Sequence, residues 1–443
     1  MNLALPSRMQ SFVALFSFSL DKRKSVIFPI LLTCFLLCRE PKSYAGLSRT
    51  MLLDTRNRSS VSKLFRRSRL RSRNIYEDAA ACIAEQYWEQ EKNIGKKVWL
   101  LAIDGVCNKR GGFAKIENTT KYRKKRKDKG PTTKAHTFVM GLLITHTGVR
   151  IPLPRRTYNT RAYCRKHKKK YIKITELAAL IIESAIVPPD VKVIVVADEY
   201  FEGKLLDTTC NKRGYTYIVP VDSRRCFEDK NGKRRKQTLY EYGKSLIRET
   251  LTKIVFRPHQ ERTALLRRRT GEGKKRRTYF ATSKVQRISG LGERTIVYSW
   301  KPRTKSRRWK KSWFKVLISN AKDLDVRALI EYYELRWQIE IFFRELKSFM
   351  GLTDYTGQDF AAYERFIDMI LLAYLFLEWY RMQLLGECCR QKNRAVITSA
   401  RIETLLRLFQ READRASIEY IIMCGKKPAL MSKLLKSINK TVV

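Results

Sequence analysis

Acidic residues are scarce in this chain of 443 residues, which has 42 Asp and Glu against 92 Lys and Arg and a formal net charge of +50. Such an imbalance destabilises a compact chain by self-repulsion unless a polyanion neutralises it. The basic runs occur along the whole chain, and 44% of the residues are hydrophobic, which is normal for a folded protein with a large core. The composition argues against a disordered chain and favours nucleic acid as the partner.

Histidine and paired cysteine motifs are also lacking. The sequence has four histidines and ten cysteines, but it contains no CxxC pair and no matching histidine cluster. A structural zinc site is therefore not expected. Free thiols in a reducing compartment fit this cysteine usage best.

No apolar run near the N-terminus is long enough to span a bilayer as a helix. The run at 26–38 follows the basic residues 22–24 and precedes Ser43-Tyr44-Ala45, a pattern that resembles a secretory signal peptide. We interpret the run instead as a buried helix, because it is short and the rest of the chain is built to bind a polyanion. No membrane association is expected.

A basic helix is predicted after this run. Asn57 and Ser59 can cap a helix that carries Lys63 and Arg66. A short helix, a polar turn and a second basic helix are typical of a helix-turn-helix, although a basic helix alone specifies no motif. We therefore predict a helical DNA-binding domain over residues 1–95, which ends in a helix at about 75–90.

Strands follow, and two of them end at an aspartate. The apolar segments 98–103 and 191–197 precede Asp104 and Asp198. The full predicted order is strand, strand, strand, helix, strand, helix, strand, with further elements at 138–145, 174–186, 202–213 and 215–221. This order predicts an α/β fold with a ribonuclease H-like core. Strands commonly end in Asp, but parallel neighbours deliver their ends to one edge, so both carboxylates should lie side by side.

A basic, β-rich insertion at 222–313 is predicted to divide this core into residues 96–221 and 314–357. Strands are expected at 279–283 and 294–300, and the chain returns to the sheet at 314–319. The insertion contains three tryptophans among cations, namely Trp300, Trp309 and Trp313. Such residues can stack on bases, and packing is the alternative for each of them; Trp300 is our candidate for DNA contact.

The stretch before Gly351 predicts a single helix from about 325 to 350, because it contains neither Gly nor Pro. Asp323 or Asp325 can cap it. At about 100° per residue, one narrow polar stripe forms opposite an apolar face; the stripe contains Arg336, Glu340, Arg344 and Lys347. These residues could simply form surface i,i+4 pairs. Alternatively, Glu340 could bind a metal beside cations that hold a phosphodiester.

The C-terminal region, 358–443, is predicted to be helical. The segment 366–377 is nearly all apolar, yet its limited length and the acids Asp368 and Glu378 favour a buried packing or dimer helix. Two amphipathic helices are expected at 399–412 and 417–438.

The residues Tyr333-x2-Arg336-x3-Glu340-x6-Lys347 resemble the Y-(2)-R-(3)-E-(6)-K signature of bacterial insertion-sequence transposases of the DDE superfamily. The resemblance covers about residues 97–385. It implies that Asp104, Asp198 and Glu340 are the catalytic triad and the metal ligands. It also implies that Tyr333, Arg336 and Lys347 contact DNA. Arg344, on the same stripe, is a further candidate for DNA contact. Gly105 departs from the many relatives that have a second Asp there, but that position is outside the triad.

This resemblance implies a Mg²⁺-dependent DNA transposase, with Mn²⁺ able to substitute, which cleaves element ends and transfers strands. The implied partners are double-stranded DNA, both terminal inverted repeats and target, and a second copy of the chain in a synaptic homodimer. The implied location is the bacterial cytoplasm, at the nucleoid. The alternative is a catalytically inactive DNA-binding protein derived from a transposase.

Overall fold

The chain is described by a computed structural model in which helices flank one large mixed sheet. The structure describes residues 4–50, 58–67, 72–93, 97–110, 116–122, 133–229, 231, 233–246, 251–256, 277–301, 313–387, 397 and 400–432. The buried apolar residues of the sheet and of its helices form one continuous core.

Five helices precede the sheet: α1 (Ser7–Ala14), α2 (Lys22–Leu37), α3 (Tyr44–Thr50), α4 (Arg58–Arg67) and α5 (Ser72–Gln90). Helix α2 covers the apolar run, and its Phe28, Leu31 and Phe35 are buried, so the prediction of a buried helix is confirmed. Helices α3 and α4 contact each other. The proposed cap Asn57 lies outside the described residues. The helix-turn-helix and the domain boundaries stay predictions.

The sheet has strands from the whole middle of the chain. They are β1 (Val98–Arg110), β2 (Thr120–Tyr122), β3 (Thr133–Ile144), β4 (Arg150–Pro152), β5 (Arg156–Thr157), β6 (Lys192–Ala197), β7 (Thr216–Pro220), β8 (Cys226–Glu228), β9 (Arg234–Thr238), β10 (Thr252–Phe256), β11 (Arg277–Ile288), β12 (Gly292–Trp300) and β13 (Phe314–Ser319). The later helices are α6 (Arg161–Lys166), α7 (Ile174–Glu183), α8 (Lys204–Lys212), α9 (Leu239–Leu246), α10 (Val326–Glu334), α11 (Trp337–Ser348), α12 (Phe360–Glu387) and α13 (Ile402–Gly425).

The strand order is β2-β3-β1-β6-β7-β13-β12-β11-β8-β9. Strand β1 is antiparallel to β3 and parallel to β6, and β6 is parallel to β7. The prediction that the first strand ends at Asp104 is wrong. The strand continues to Arg110 because its ladder with β3 continues to the pair Arg110↔Lys134. Only the parallel ladder with β6 stops at Ile103↔Ala197, so Asp104 lies where that ladder ends.

The insertion belongs to the same sheet rather than interrupting it. Strands β11 and β12 cover the two predicted segments, and β12 pairs with β13, which pairs with β7. The backbone hydrogen bonds of β13 therefore join the core to the inserted strands. Trp300 and Trp313 both lie at the end of the β12–β13 ladder that pairs Trp300 with Phe314, and both are buried. Trp309 lies outside the described residues.

The predicted single helix at 325–350 is two helices, α10 and α11, separated by Leu335 and Arg336. The amides of these two residues donate to the carbonyls of Tyr332 and Tyr333, at 3.1 and 3.0 Å. These are i→i−3 bonds, which tighten the turn. Packing explains the break, since the sequence has no helix breaker there: α10 lies on β6, β7 and β11, whereas α11 lies on β1.

The C-terminal helices close the core. Helix α12 is buried around most of its circumference and packs against α2, α4, α5 and β4, which confirms a buried packing helix. The prediction of two helices after residue 399 is wrong, because α13 continues from Ile402 to Gly425. The intervening residues 413–416, Ala-Asp-Arg-Ala, contain no helix breaker. None of the described helices is long and apolar enough to cross a membrane.

Candidate active site

Two aspartates lie side by side where the parallel ladder of β1 and β6 ends. Ile103 and Ala197 are register partners on strands about 4.8 Å apart, and Asp104, within β1, and Asp198, directly after β6, follow them. The Asp104 carboxylate accepts a hydrogen bond from the amide of Gly105 at 2.7 Å. The Asp198 carboxylate accepts one from the amide of Glu199 at 2.8 Å. These local bonds orient both carboxylates at the same edge of the sheet.

Arg336 connects Glu340 to the aspartate pair by hydrogen bonds. Its Nη1 donates to Asp104 Oδ2 at 3.2 Å, and its Nη2 donates to Glu340 Oε1 at 2.5 Å. The three side chains are partly exposed, at 16% for Arg336, 21% for Asp104 and 30% for Glu340. Glu340 lies in the first turn of α11, which packs on β1. The fold therefore gathers Asp104, Asp198, Arg336 and Glu340 from three separate parts of the chain.

Burial dominates the electrostatics of Asp104, and the neighbouring charges modify it. Burial raises the pKa of Asp104, and the charges of Asp198 and Glu340 add to this, while the Gly105 amide and Arg336 oppose it. Burial acts to lower the pKa of Arg336, but the neighbouring acidic groups outweigh it, and the net pKa is raised. Arg336 therefore stays charged and compensates an excess of negative charge at the sheet edge.

The donor set suits a hard divalent cation. Carboxylate oxygens are the ligands that Mg²⁺ and Mn²⁺ prefer, and the cluster has three carboxylates and no His or Cys. Within the described residues, no group of three or more His, Cys, Asp or Glu side chains is arranged to hold a metal ion. In this conformation the guanidinium of Arg336 supplies the positive charge between Asp104 and Glu340. The three carboxylates have the chemistry that such a cation requires, and Arg336 holds two of them.

A pocket of about 290 Å³ opens beside the carboxylates, and both Tyr333 and Arg336 line it. The Nζ of Lys315 donates to the Tyr333 hydroxyl at 3.0 Å and lies 4.8 Å from the centre of its ring. Trp337, which is 49% exposed, also lines this pocket. Our sequence reasoning missed Lys315 and Trp337. Trp337 follows Arg336 directly and could have been noticed, whereas nothing in the sequence marks Lys315.

The other candidate residues lie in different settings. Arg344 and Lys347 are exposed on α11. Loss of hydration lowers the pKa of Lys347, and the charge of Lys109 lowers it further, while Cys107 opposes. Trp300 is only 2% exposed, and its ring centre is 4.9 Å from that of Phe314. The ring of Trp300 is not accessible to a base in this conformation. Trp300 therefore packs within the protein and does not offer a surface for base stacking.

A network of buried ion pairs, which the sequence did not reveal, fixes the buried side of α11. Glu345 of α11 accepts a hydrogen bond from the Tyr374 hydroxyl at 2.9 Å and pairs with Arg150 at 3.1 Å. Arg150 also pairs with Glu378 at 3.0 Å, and Arg381 pairs with Glu378 at 3.2 Å. The signal that the sequence offered was Glu378, an acid inside the nearly apolar helix α12, because a buried carboxylate requires a partner.

Two further side chains hold the segment that follows α11. The buried Lys42 donates from Nζ to the carbonyl of Phe349 at 3.2 Å, at the C-terminus of α11. The side chain of Asn108 on β1 donates to the carbonyl of Leu352 at 2.6 Å. A cation at a helix C-terminus stabilises the unpaired carbonyls there. The position of α11 is thus fixed by the sheet, by α12 and by the N-terminal segment.

Sequence comparison relates the chain to a known protein family. The model of the family described as "Transposase DDE domain" matches residues 101–376, which is more than half of the chain. The matched range starts within β1, ends within α12 and includes all the candidate site residues. Among curated proteins, no match to the chain was found.

Proposed function

The chain belongs to the transposase DDE domain family, and from this premise we propose that it is a metal-dependent DNA transposase that cleaves element ends and transfers the freed 3′ ends. The observation that carries the proposal is that Asp104 and Asp198 lie where two neighbouring parallel strands stop pairing, and that Arg336 connects Asp104 to Glu340. Strands commonly end in Asp, but here Arg336 joins a glutamate from a distant helix to the same edge. We also propose the ribonuclease H-like assignment, which the order β3-β1-β6-β7 supports.

Each residue has a role in this proposal. Asp104, Asp198 and Glu340 would hold Mg²⁺ or Mn²⁺, and the bound metal would act as a Lewis acid that stabilises negative charge on the reacting phosphate. Arg336 and Lys347 place positive charge where the negative charge of the reacting phosphate develops. Tyr333 contacts the DNA strand from the pocket next to Arg336. The signature assigned from the sequence thus begins at Tyr333 in α10, passes through the turn at Arg336 and continues on one face of α11.

The proposed partner is double-stranded DNA, as terminal inverted repeats and as target, bound by a homodimer. The net charge of +50 supports it. If about ten phosphates are neutralised, log K should fall against log[salt] with a slope of about −9. A flat salt dependence would contradict this interpretation of the charge.

The decisive experiment uses purified full-length protein and duplexes carrying the inverted repeats that flank its gene. With Mg²⁺ or Mn²⁺, the wild type should nick the ends and join them to a second duplex. Asp104→Ala, Asp198→Ala and Glu340→Ala should abolish both steps and retain DNA binding. Asp414→Ala, on α13 and away from the site, is the control and should remain active.

Two outcomes would contradict the proposal in different ways. A wild type that binds its ends and never cuts them, with either metal, would be an inactive DNA-binding descendant of a transposase. A wild type that cuts but never joins a 3′ end to a second duplex would be a nuclease.

A further inference from the structure

A polar cleft of about 650 Å³ lies between the N-terminal helix α4 and the segment that leads from α11 to α12. The residues 355–359 form one side of it, and α4 forms the other. The helix side consists of Ser59, Ser62, Lys63 and Arg66. These positions recur every three or four residues, so they share one face of α4. The opposite face, with Val61 and Phe65, is buried.

The chemistry of the lining suits an anion that presents several oxygens. The cleft combines two cations with the hydroxyl groups of Ser59 and Ser62 and with the side chains of Thr356 and Gln358. One carboxylate, that of Asp359, also lines it. Its Oδ1 accepts from the amide of Ala362, at the start of α12, at 2.9 Å.

Arg66 forms an ion pair with Asp359 but keeps hydrogen-bond donors for an additional partner. The distance from its Nε to Asp359 Oδ2 is 3.6 Å, which is too long for a hydrogen bond. Its side chain is 61% exposed. The lining has two cations and one carboxylate, so its net charge is positive. The planar guanidinium of Arg66 can bind phosphate oxygens through two parallel hydrogen bonds.

The cleft has a rigid back wall. Tyr44 stacks on Phe65 with ring centres 5.6 Å apart, and its hydroxyl lies 3.4 Å from that of Tyr355. Arg365 of α12 donates to the carbonyl of Phe65, which fixes the C-terminal end of α4. A polar site whose walls are held by packing loses little conformational entropy when a ligand binds.

Strand β1 connects this cleft to the candidate active site. Asp104 and Arg110 are six residues apart on β1, about 20 Å at 3.3 Å per residue. The Nη2 of Arg110 donates to the carbonyl of Gly357, which lines the cleft, at 3.1 Å. Its guanidinium also lies 5.2 Å from the ring centre of Tyr355. Lys347 lies alongside the intervening part of β1, near Cys107 and Lys109.

We infer that this cleft binds backbone phosphates of the same DNA strand, about six nucleotides from the scissile phosphate at about 3.4 Å per nucleotide. This inference rests on the proposed function, because it takes DNA as the substrate of the carboxylate site. The cleft positions the DNA without reading its sequence, since phosphate contacts fix register and carry no base information. It also makes α4 part of the same binding surface as the catalytic helix.

The test measures binding of the full-length protein to a labelled duplex of arbitrary sequence, by fluorescence anisotropy over a range of salt concentrations. The double variant Lys63→Ala/Arg66→Ala should lower the magnitude of the salt slope by about 2, because each phosphate that a cation neutralises contributes about 0.9 to that slope. Its affinity at physiological salt should fall at least about tenfold. The matched control Lys92→Ala/Arg407→Ala removes two exposed, paired cations elsewhere and should bind as the wild type does.

A second pair of variants adds negative charge and leaves the two cations in place. Ser62→Glu places a carboxylate in the cleft and should weaken binding as strongly as the double variant. Ser245→Glu makes the same change on the exposed face of α9 and should have no such effect. Thermal melts check that each variant folds. If the double variant does not fold, the binding of Ser62→Glu tests the cleft by itself.

The outcomes separate the cleft from the proposed function. If the wild type binds DNA and both cleft variants bind like their controls, the cleft assignment is wrong and the proposed function stands. If the wild type does not bind DNA at low salt, both are wrong. Weakened binding confined to the cleft variants supports the assignment.

Discussion

Arg336 donates a hydrogen bond to Asp104 across 3.2 Å, although 232 positions separate them in the chain. The same guanidinium holds Glu340, four residues further along. Arg336 lies in the tightened turn between α10 and α11, and α11 packs on the strand that carries Asp104. One arginine therefore compensates two of the three carboxylates that a divalent cation would bind.

Our first prediction is that Arg336→Ala makes the ion-free protein less stable and more responsive to metal. Without the guanidinium, two partly buried carboxylates have no charged partner, which should cost about 1–3 kcal/mol. A cation bound there would restore that compensation, and binding to the folded state alone raises the melting temperature. Thermal melts with and without Mn²⁺ should show a larger metal-induced rise in the variant than in the wild type.

The control for this prediction is Arg344→Ala, an exposed arginine on the same helix. It should match the wild type both without metal and with it. Equal metal-induced shifts in wild type and Arg336→Ala would show that the guanidinium does not occupy the place of a cation.

Our second prediction separates the two interpretations of Lys347. If it contacts a phosphate near the reacting bond, Lys347→Ala should lower strand cleavage of bound ends at least about tenfold, which is about 1.4 kcal/mol of transition-state stabilisation. Because the side chain is exposed, the free energy of unfolding should change by less than about 1 kcal/mol. Lys212→Ala, at the end of α8, is the control for both measurements. Cleavage at the wild-type rate would leave Lys347 as a solvated surface residue.

The sequence predicted the positions of the acidic residues better than it predicted the elements around them. Asp198 follows β6 as expected, and Asp104 meets it because the two strands are parallel neighbours. Those placements follow from apolar runs and from a general rule of strand connection. The spacing from Tyr333 to Lys347 likewise needed only counting. The local sequence pattern was sufficient wherever a single strand or a single helix face determines the position of a residue.

The errors arose where distant parts of the chain decide local structure. No residue between 325 and 350 breaks a helix, yet different packing partners separate α10 from α11. Similarly, β1 extends beyond its apolar run because β3 supplies hydrogen-bond partners as far as Arg110. The role of Glu345 depends on Arg150 and Tyr374, which lie far away in the sequence. Propensity cannot predict such long-range compensation.

Our third prediction concerns this buried network. Arg150→Met keeps most of the side-chain volume but leaves Glu345 and Glu378 without their shared cation, and all three side chains are at most 9% exposed. Removing one partner of a buried ion pair costs about 3–5 kcal/mol. Chemical denaturation should show a loss of that order, and cleavage should fall because Glu345 fixes α11. Arg224→Met, which removes an 82% exposed arginine, should cost less than about 1 kcal/mol. A similarly small loss for Arg150→Met would show that the network is dispensable.

Our last prediction is an acid-sensitive contribution from His136, which is fully buried between β3 and α12. Its ring lies 5.0 Å from those of Phe360 and Tyr363, and its Nε2 faces the carbonyl of Glu117 at 2.9 Å. Burial lowers the pKa of His136 from 6.5 to about 4, with Arg110 adding to this and Glu117 and Glu364 opposing it.

The sign of the effect follows from proton uptake. Below about pH 6.5 the unfolded chain protonates this histidine and the folded chain does not, so stability falls as the pH falls toward 4. At about 1.4 kcal/mol per pKa unit, the full contribution is about 3 kcal/mol. His136→Gln cannot take up this proton and keeps an N–H donor for Glu117. Urea unfolding at a series of pH values should therefore show a smaller loss for His136→Gln than for the wild type over this window. His146→Gln should lose stability as the wild type does, and parallel curves for wild type and His136→Gln would refute the assignment.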